Sequence, residues 1–161
     1  NTFGPERLNY IIKNCNFNKN TDNILDFGCG PGYFLKYLKE NNVSNKGLEL
    51  TEWLVNTGKK QGINISNNLL EDETDNYNVI AMFDVLEHLA DPFFQIDTFH
   101  KIMGPNSIGL FNWYFYKGEN NEYPFHVDDE DVVEQFFKTL QSRFVEVFHP
   151  ILITTRSYKK N

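Results

Sequence analysis

Residues 24–35 place the strongest constraint on how this 161-residue chain can fold. A short apolar run leads into glycines at alternate positions, Gly28, Gly30 and Gly32, and an apolar pattern with helical spacing follows at once. Glycine allows positive φ angles and lets a ligand approach the backbone. The N–H groups of a helix N-terminus then face that ligand. The segment therefore predicts a strand, a tight glycine turn and the start of a helix.

The spacing of the glycines separates two kinds of nucleotide site. A dinucleotide site has the pattern G-x-G-x-x-G, with its third glycine three residues after the second. That position is Tyr33 in this chain, which disfavours NAD. The alternative is a βα turn that binds nothing, although three glycines have a backbone entropy cost that a plain turn does not require.

Apolar periodicity predicts an alternation of helices and strands around this turn. A leading helix covers residues 6–14 and a polar loop covers residues 16–23. After the turn we predict a helix ending near Asn41, strands over residues 46–50, 62–65, 77–83 and 108–113, a helix capped by Thr51, and a helix starting at Asp91-Pro92. The nearly continuous apolar run over residues 77–83 is typical of a central strand that is buried on both faces.

The helix after Asp91 carries several large apolar side chains. We expect them to face the sheet; they are Phe93, Phe94, Ile96, Phe99 and Ile102. A further helix is expected to start at Asp128 or Asp129.

Glu49 is a candidate ligand-binding carboxylate. It lies 21 positions after Gly28, at the end of the predicted second strand. In a Rossmann-like sheet this position is beside the glycine turn, where a carboxylate can accept hydrogen bonds from both ribose hydroxyls. The alternative is a solvated surface glutamate.

Two segments resemble one enzyme family. The run D-F-G-C-G-P-G followed by Tyr33 resembles motif I of the class I S-adenosylmethionine (SAM)-dependent methyltransferases. The run F-D-V-L-E-H-L-A-D-P over residues 83–92 resembles the segment after strand four in a large group of these enzymes. That group includes ubiquinone-biosynthesis O-methyltransferases and many small-molecule and sugar methyltransferases.

The resemblance implies a fold class and a domain organisation. The expected fold is a Rossmann-like, seven-stranded α/β sheet that is mostly parallel, with helices on both faces. Residues 144–149 and 151–155 would form its closing antiparallel hairpin. Residues 1–161 would be a single methyltransferase domain in which residues 1–20 are a leading helix and loop.

The resemblance also implies SAM as cofactor, with S-adenosylhomocysteine (SAH) as product. The adenine would lie near residues 67–70. The residues expected to bind the cofactor are Asp26, Phe27, Gly28, Cys29, Gly30, Gly32, Glu49, Leu50, Phe83 and Asp84.

The expected acceptor is a small molecule, an oxygen of a sugar or another metabolite, with a nitrogen or carbon acceptor atom as the alternative. Residues 111–116 and the segment up to His126 are rich in aromatic side chains, and form either core or a wall of the acceptor pocket. A hydroxyl acceptor requires a base with a pKa near neutral. His126 is the first candidate and His88 the second, and a structural role for each histidine is the alternative.

A metal site is a weaker alternative. Asp84, Glu87 and His88 would share one face of a helix and, with His126, could ligate a metal ion. Small-RNA 2′-O-methyltransferases use a similar set with glutamate at the first position, so Asp84 departs from it. We therefore expect no metal, and keep an RNA 2′-O-methyltransferase and a non-catalytic partner module as rival functions.

The amino-acid composition limits which binding partners and which cellular compartment are expected. The formal net charge is -7 and no Lys/Arg run is longer than two residues, which disfavours nucleic acid. Cys15 and Cys29 are expected to be free thiols in a reducing compartment. No apolar run approaches the roughly 20 residues of a membrane span. We expect a cytoplasmic protein, and the sequence gives no prediction of its oligomeric state.

Overall fold

The computed structural model describes residues 3–85, 88–116, 138 and 151–158. In chain order these residues form α1 (Phe3–Asn14), β1 (Asn23–Phe27), α2 (Tyr33–Glu40), β2 (Ser44–Leu48), α3 (Glu52–Lys60), β3 (Ile65–Ser66), a 3-10 turn (Leu70–Asp72), β4 (Tyr77–Phe83), α4 (Pro92–Ile102), β5 (Met103–Tyr116) and β6 (Ile151–Tyr158). The predicted strand over residues 77–83 coincides with β4, and the predicted leading helix lies within α1.

The sheet has the strand order β3-β2-β1-β4-β5-β6, and its neighbouring strands pair in parallel. In β1, Ile24 pairs with Asn45 on one side and with Val79 on the other. The chain therefore leaves β1 towards β2 and later returns on the opposite side of β1. Ligands bind at such a switch point, outside the carboxyl ends of the strands.

Helices cover both faces of this sheet. Consecutive residues of a strand point to opposite faces. Ile24 packs in a buried cluster with α1, α2 and α3, whereas Leu25 packs in a second cluster with α4. Val79 and Ile80 of β4 divide in the same way. The prediction of an α/β fold with a parallel sheet covered by helices is confirmed.

Three strand boundaries differ from the prediction, and two of the differences affect the site. The third strand is Ile65–Ser66 and not residues 62–65. The second strand ends at Leu48, so Glu49 and Leu50 lie in the loop that follows it. The fifth strand runs over Met103–Tyr116, so the aromatic residues 111–116 belong to a strand and not to a segment after it.

The C-terminal pairing of the sheet also differs from expectation. β6 runs parallel to β5, from Gly109 opposite Ile151 to Tyr116 opposite Tyr158. A parallel neighbour requires a crossover of about a dozen residues or more, and residues 117–150 separate these strands. The seventh strand and the antiparallel hairpin are not shown. Residues 128–129 and 144–149 lie outside the described residues.

The helices found among the described residues include none long and apolar enough to cross a membrane.

A buried carboxylate connects three segments of the sheet. Glu73 follows the 3-10 turn, and its side chain is only 1% exposed. Its Oε2 atom accepts hydrogen bonds from Lys46 Nζ at 2.8 Å and from the Tyr77 hydroxyl at 2.9 Å. Burial raises the pKa of Tyr77, and the Glu73 carboxylate raises it further, so the phenol stays protonated and donates. The network fixes the loop before β4 to β2 and β4.

Replacing Glu73 with alanine is expected to lower the free energy of unfolding by about 2 kcal/mol, because Lys46 and Tyr77 lose their acceptor. The Lys46 side chain is 22% exposed, so its ammonium group regains part of its hydration and the loss stays below that of a fully buried pair. Urea denaturation measures the change. Glu71→Ala, on an exposed residue of the same turn, is the matched control and should change stability by less than about 0.5 kcal/mol. An equally small effect of Glu73→Ala would contradict the prediction.

Candidate functional site

A cleft of about 480 Å³ lies at the carboxyl ends of β1, β2 and β4. Its walls come from the glycine turn, the loops after β2, β3 and β4, and the first turn of α4. The lining residues are Phe27, Gly28, Leu48, Glu49, Leu50, Thr51, Leu54, Asn68, Leu69, Leu70, Glu71, Asp84, Val85, His88, Leu89, Phe94 and Gln95. The cleft therefore occupies the switch point that the strand order creates.

The three glycines of the turn adopt the backbone conformation that the sequence suggests. Gly28, Gly30 and Gly32 have φ angles of 70°, 56° and 81°. A Cβ atom at Gly28 would overlap the Val85 side chain, with Cγ1 at 3.0 Å and Cγ2 closer still. Nothing lies within 4 Å of the corresponding position at Gly30. Gly28 thus allows the loop after β4 to pack directly on the glycine turn.

Glu49 connects the glycine turn to the start of α3. Its Oε2 atom accepts a hydrogen bond from the Gly30 N–H at 3.0 Å, and its Oε1 atom accepts one from the Thr51 N–H at 2.8 Å. Thr51 is the N-cap residue of α3, as predicted, but its side chain makes no capping hydrogen bond. A carboxylate offers about four acceptor positions. Two of them therefore remain for a ligand in the cleft.

Asp26 lies behind the turn and does not line the cleft. It is 3% exposed, and burial raises the pKa of its carboxyl group from 3.8 to about 7, against the opposing effect of the Arg7 guanidinium. Burial disfavours the charged form of a carboxylic acid, and a nearby cation favours it. Near neutral pH, Asp26 is therefore poised between its neutral and charged forms.

Arg7 is a site residue that the sequence analysis missed. It projects from α1, with its guanidinium carbon 4.0 Å from the centre of the Phe83 ring and Nη2 3.5 Å from Asp84 Oδ2. The Phe34 ring lies 5.9 Å from the same carbon. The apolar spacing of the leading helix indicated which of its residues are buried. It did not indicate in which direction the arginine side chain extends. Arg7 brings a positive charge to the carboxyl ends of β1 and β4.

Asp84 directly follows β4 and has a conformation that is unusual for a residue other than glycine, with φ 60°. Such a conformation is costly and is concentrated at functional sites. Asp84, Val85 and the exposed His88 all line the cleft. The His88 N–H donates to the Val85 carbonyl at 2.9 Å.

The alternative metal set, in which Asp84 and His88 would act with Glu87 and His126, is not tested by the described residues. Glu87 and His126 lie outside them, and no group of three His, Cys, Asp or Glu side chains that could hold a metal ion occurs among them. His126 as a catalytic base and residues 117–126 as an acceptor wall also lie outside the described part of the chain.

The predicted cofactor residues divide into two groups. Those that line the cleft are Phe27, Gly28, Glu49, Leu50 and Asp84. Those that do not line it are Asp26, Cys29, Gly30, Gly32 and Phe83. Burial, with added contributions from Asp26 and Glu49, raises the pKa of the Cys29 thiol, which is therefore neutral and a poor nucleophile.

Phe94 and Gln95 also line the cleft and were not predicted as site residues. The expectation that Phe94 faces the sheet is wrong, because its side chain is 58% exposed. Phe99 and Ile102 of the same helix are buried, as expected. Five residues correspond to about 140° around a helix axis, so Phe94 and Phe99 cannot share one face.

Known proteins of similar sequence include O-methyltransferases of ubiquinone biosynthesis. A ubiquinone biosynthesis O-methyltransferase of Aliivibrio fischeri is 25% identical over 120 residues, which are 67% of this chain and 50% of that protein. This chain spans about half the length of the curated relatives it matches.

Two solved structures share the fold at low sequence identity. Magnesium protoporphyrin IX methyltransferase from Synechocystis, solved with bound SAM, has a TM-score of 0.55 and 15% identity, with 63% of this chain and 53% of that chain covered. The sugar N-methyltransferase KedS8 from Streptoalloteichus has a TM-score of 0.53 and 14% identity, with 64% and 45% covered.

A family of methyltransferase domains matches this chain over residues 5–135. The match includes every residue that lines the cleft. Because it extends over most of the sequence, the chain belongs to this methyltransferase domain family.

Proposed function

We propose that this chain is a single SAM-dependent methyltransferase domain that transfers a methyl group to a small-molecule acceptor, an oxygen of a sugar or another metabolite. One observation carries the proposal. The Glu49 carboxylate lies in the cleft wall and is held by the Gly30 N–H, with acceptor positions left for ribose hydroxyls.

The remaining walls of the cleft fit the other parts of SAM. The cleft volume of about 480 Å³ lies within the range of small-ligand pockets. Leu50 and Leu69 are exposed apolar side chains on its wall and suit the faces of an adenine ring. At the opposite end, Asp84 lines the cleft and suits the ammonium group of a methionine moiety. Arg7 does not line the cleft, and its Nη2 atom lies 3.5 Å from Asp84 Oδ2.

When bound, SAM supplies a methyl group that its sulfonium already activates, so the protein mainly positions the reactants. In the proposed reaction, Glu49 orients the ribose, while Asp84 and the glycine turn fix the amino-acid end. Among the described residues, the exposed His88 on the cleft wall is the candidate base that takes the proton from an acceptor hydroxyl. His126 remains the first candidate from the sequence.

Two observations support a small acceptor molecule. The curated relatives are O-methyltransferases of ubiquinone biosynthesis, and one protein of similar fold is a sugar N-methyltransferase. The net charge of -7 disfavours a phosphate backbone as partner. Conversion of SAM to SAH in the presence of hydroxylated sugars and phenols, compared with their amino analogues, tests the acceptor atom.

Isothermal titration with SAM, SAH and NAD⁺ tests the cofactor. We expect the wild-type chain to bind SAM and SAH but not NAD⁺, and Glu49→Ala to bind SAH roughly 100-fold more weakly, because two charge-assisted hydrogen bonds are lost. Glu52→Ala, on an exposed residue of α3 outside the cleft, is the matched control and should bind normally. Binding of NAD⁺ alone, or of none of the three, would overturn the proposal.

A further inference from the structure

The side chain of Gln95 carries a hydrogen-bond donor whose partner is missing from the described part of the chain. Its Nε2 atom is buried and has no hydrogen-bond partner among the described residues. Buried polar groups in native proteins nearly always have partners, and a missing one requires an explanation. Gln95 also lines the cleft, so a bound ligand is the available source of a partner.

The position of Gln95 is fixed by its own helix. Residues four apart lie on the same helix face, and Phe99 is four positions after Gln95. Phe99 is fully buried and packs edge-to-face on Phe27, with ring centres 5.3 Å apart. Gln95 is therefore held above the carboxyl end of β1. Its Nε2 atom is shielded from solvent in this conformation, and the terminal amide torsion has a broad range, so rotation about that bond is a route by which the amide can face a ligand.

The neighbours of Gln95 indicate which part of a ligand it meets. α4 contacts the 3-10 turn Leu70–Asp72, which follows β3. With Glu49 assigned to the ribose, this side of the cleft, between the loops after β2 and β3, is where the base belongs. Leu50 and Leu69 provide apolar walls there.

We propose that the Gln95 carboxamide binds the edge of the cofactor's adenine, with Nε2 donating to N7 and Oε1 accepting from the exocyclic amino group. A glutamine carboxamide matches this pair of atoms, one acceptor and one donor. Gln95 is then a residue that makes the cleft selective for adenine. The inference rests on the proposed function, because it requires SAM or SAH in the cleft.

Titration with SAH and with its 7-deaza analogue, which lacks the N7 acceptor, tests this role. Wild type is expected to bind SAH about tenfold more tightly than the analogue. Gln95→Met keeps a side chain of similar length without the amide, and should bind the two ligands equally. Gln61→Met, the same change at an exposed residue outside the cleft, should keep the full preference.

The outcomes separate this inference from the function on which it rests. Tight SAH binding without a preference in wild type, or a preference that persists in Gln95→Met, overturns the role of Gln95 and leaves the proposed function intact. Failure of wild type to bind SAH overturns both. If circular dichroism shows that Gln95→Met is unfolded, Gln95→Glu replaces it; this variant keeps the shape and lacks the donor, so it should also lose the preference.

Discussion

Replacing Gly28 with alanine is expected to lower the free energy of unfolding by about 3–4 kcal/mol and to weaken SAH binding by more than tenfold. Two effects add at this position. An alanine at φ 70° is strained, and its Cβ atom overlaps the Val85 side chain. Relief of the overlap moves the loop after β4, which carries Asp84 into the cleft wall. Chemical denaturation and isothermal titration measure the two losses.

Gly30→Ala is the matched control, because Gly30 has a similar φ of 56° but open space around the Cβ position. We expect it to cost only the backbone strain, about 1–2 kcal/mol. In Gly28→Ala/Val85→Ala, both methyl groups that cause the overlap are absent. The double variant should therefore be less destabilised than the sum of the two single variants. Equal losses for Gly28→Ala and Gly30→Ala would show that the contact with Val85 is unimportant.

Asp26→Asn is expected to become more stable relative to wild type as the pH rises. The folded pKa of Asp26, about 7, lies above its ordinary value of 3.8, so the folded chain holds this proton more tightly than the unfolded chain. The stabilising contribution of the protonated group is complete below about pH 4 and is lost as the pH rises towards 7. Its full size is roughly 4 kcal/mol, at about 1.4 kcal/mol per pH unit. Asparagine has no such dependence.

Urea denaturation of both chains between pH 5 and pH 8 measures the effect. The stability difference should grow by about 2–3 kcal/mol up to pH 7 and then level off. Asp75→Asn, on an exposed carboxylate, should show no comparable trend. A constant difference between wild type and Asp26→Asn would mean that Asp26 is ionised throughout the range, with Arg7 compensating fully for its burial.

The parts of the fold that were predictable are those set by local patterns. Alternating glycines define the turn, and the continuous apolar run of β4 reflects burial on both faces. Asp91 caps α4 through a hydrogen bond from the Phe94 N–H at 2.9 Å, as the Asp-Pro pair suggested. In each case the residues that produce the structure are adjacent in sequence.

The parts of the site that were missed depend on contacts between distant segments. Arg7 reaches Asp84 across 77 positions, and no local pattern encodes that distance. In the sequence, Gln95 is an ordinary polar residue of a helix. Its position at the cleft depends on Phe99, because the packing of Phe99 on Phe27 fixes the rotation of that helix. Glu49 was predictable because its position relative to Gly28 follows from the fold class. Its bond to Gly30 was not, because it depends on how the loop after β2 folds back.

The strand order also determines when the cleft can exist during folding. Ile24 of β1 pairs with Val79 of β4, 55 positions later, and pairing across such separations is slow. A nascent chain presents the glycine turn long before β4 supplies the opposite wall. The cleft therefore forms only when the central sheet closes, and a ligand that needs both walls binds after that step. Such a ligand prolongs the lifetime of the folded chain but does not guide its early folding.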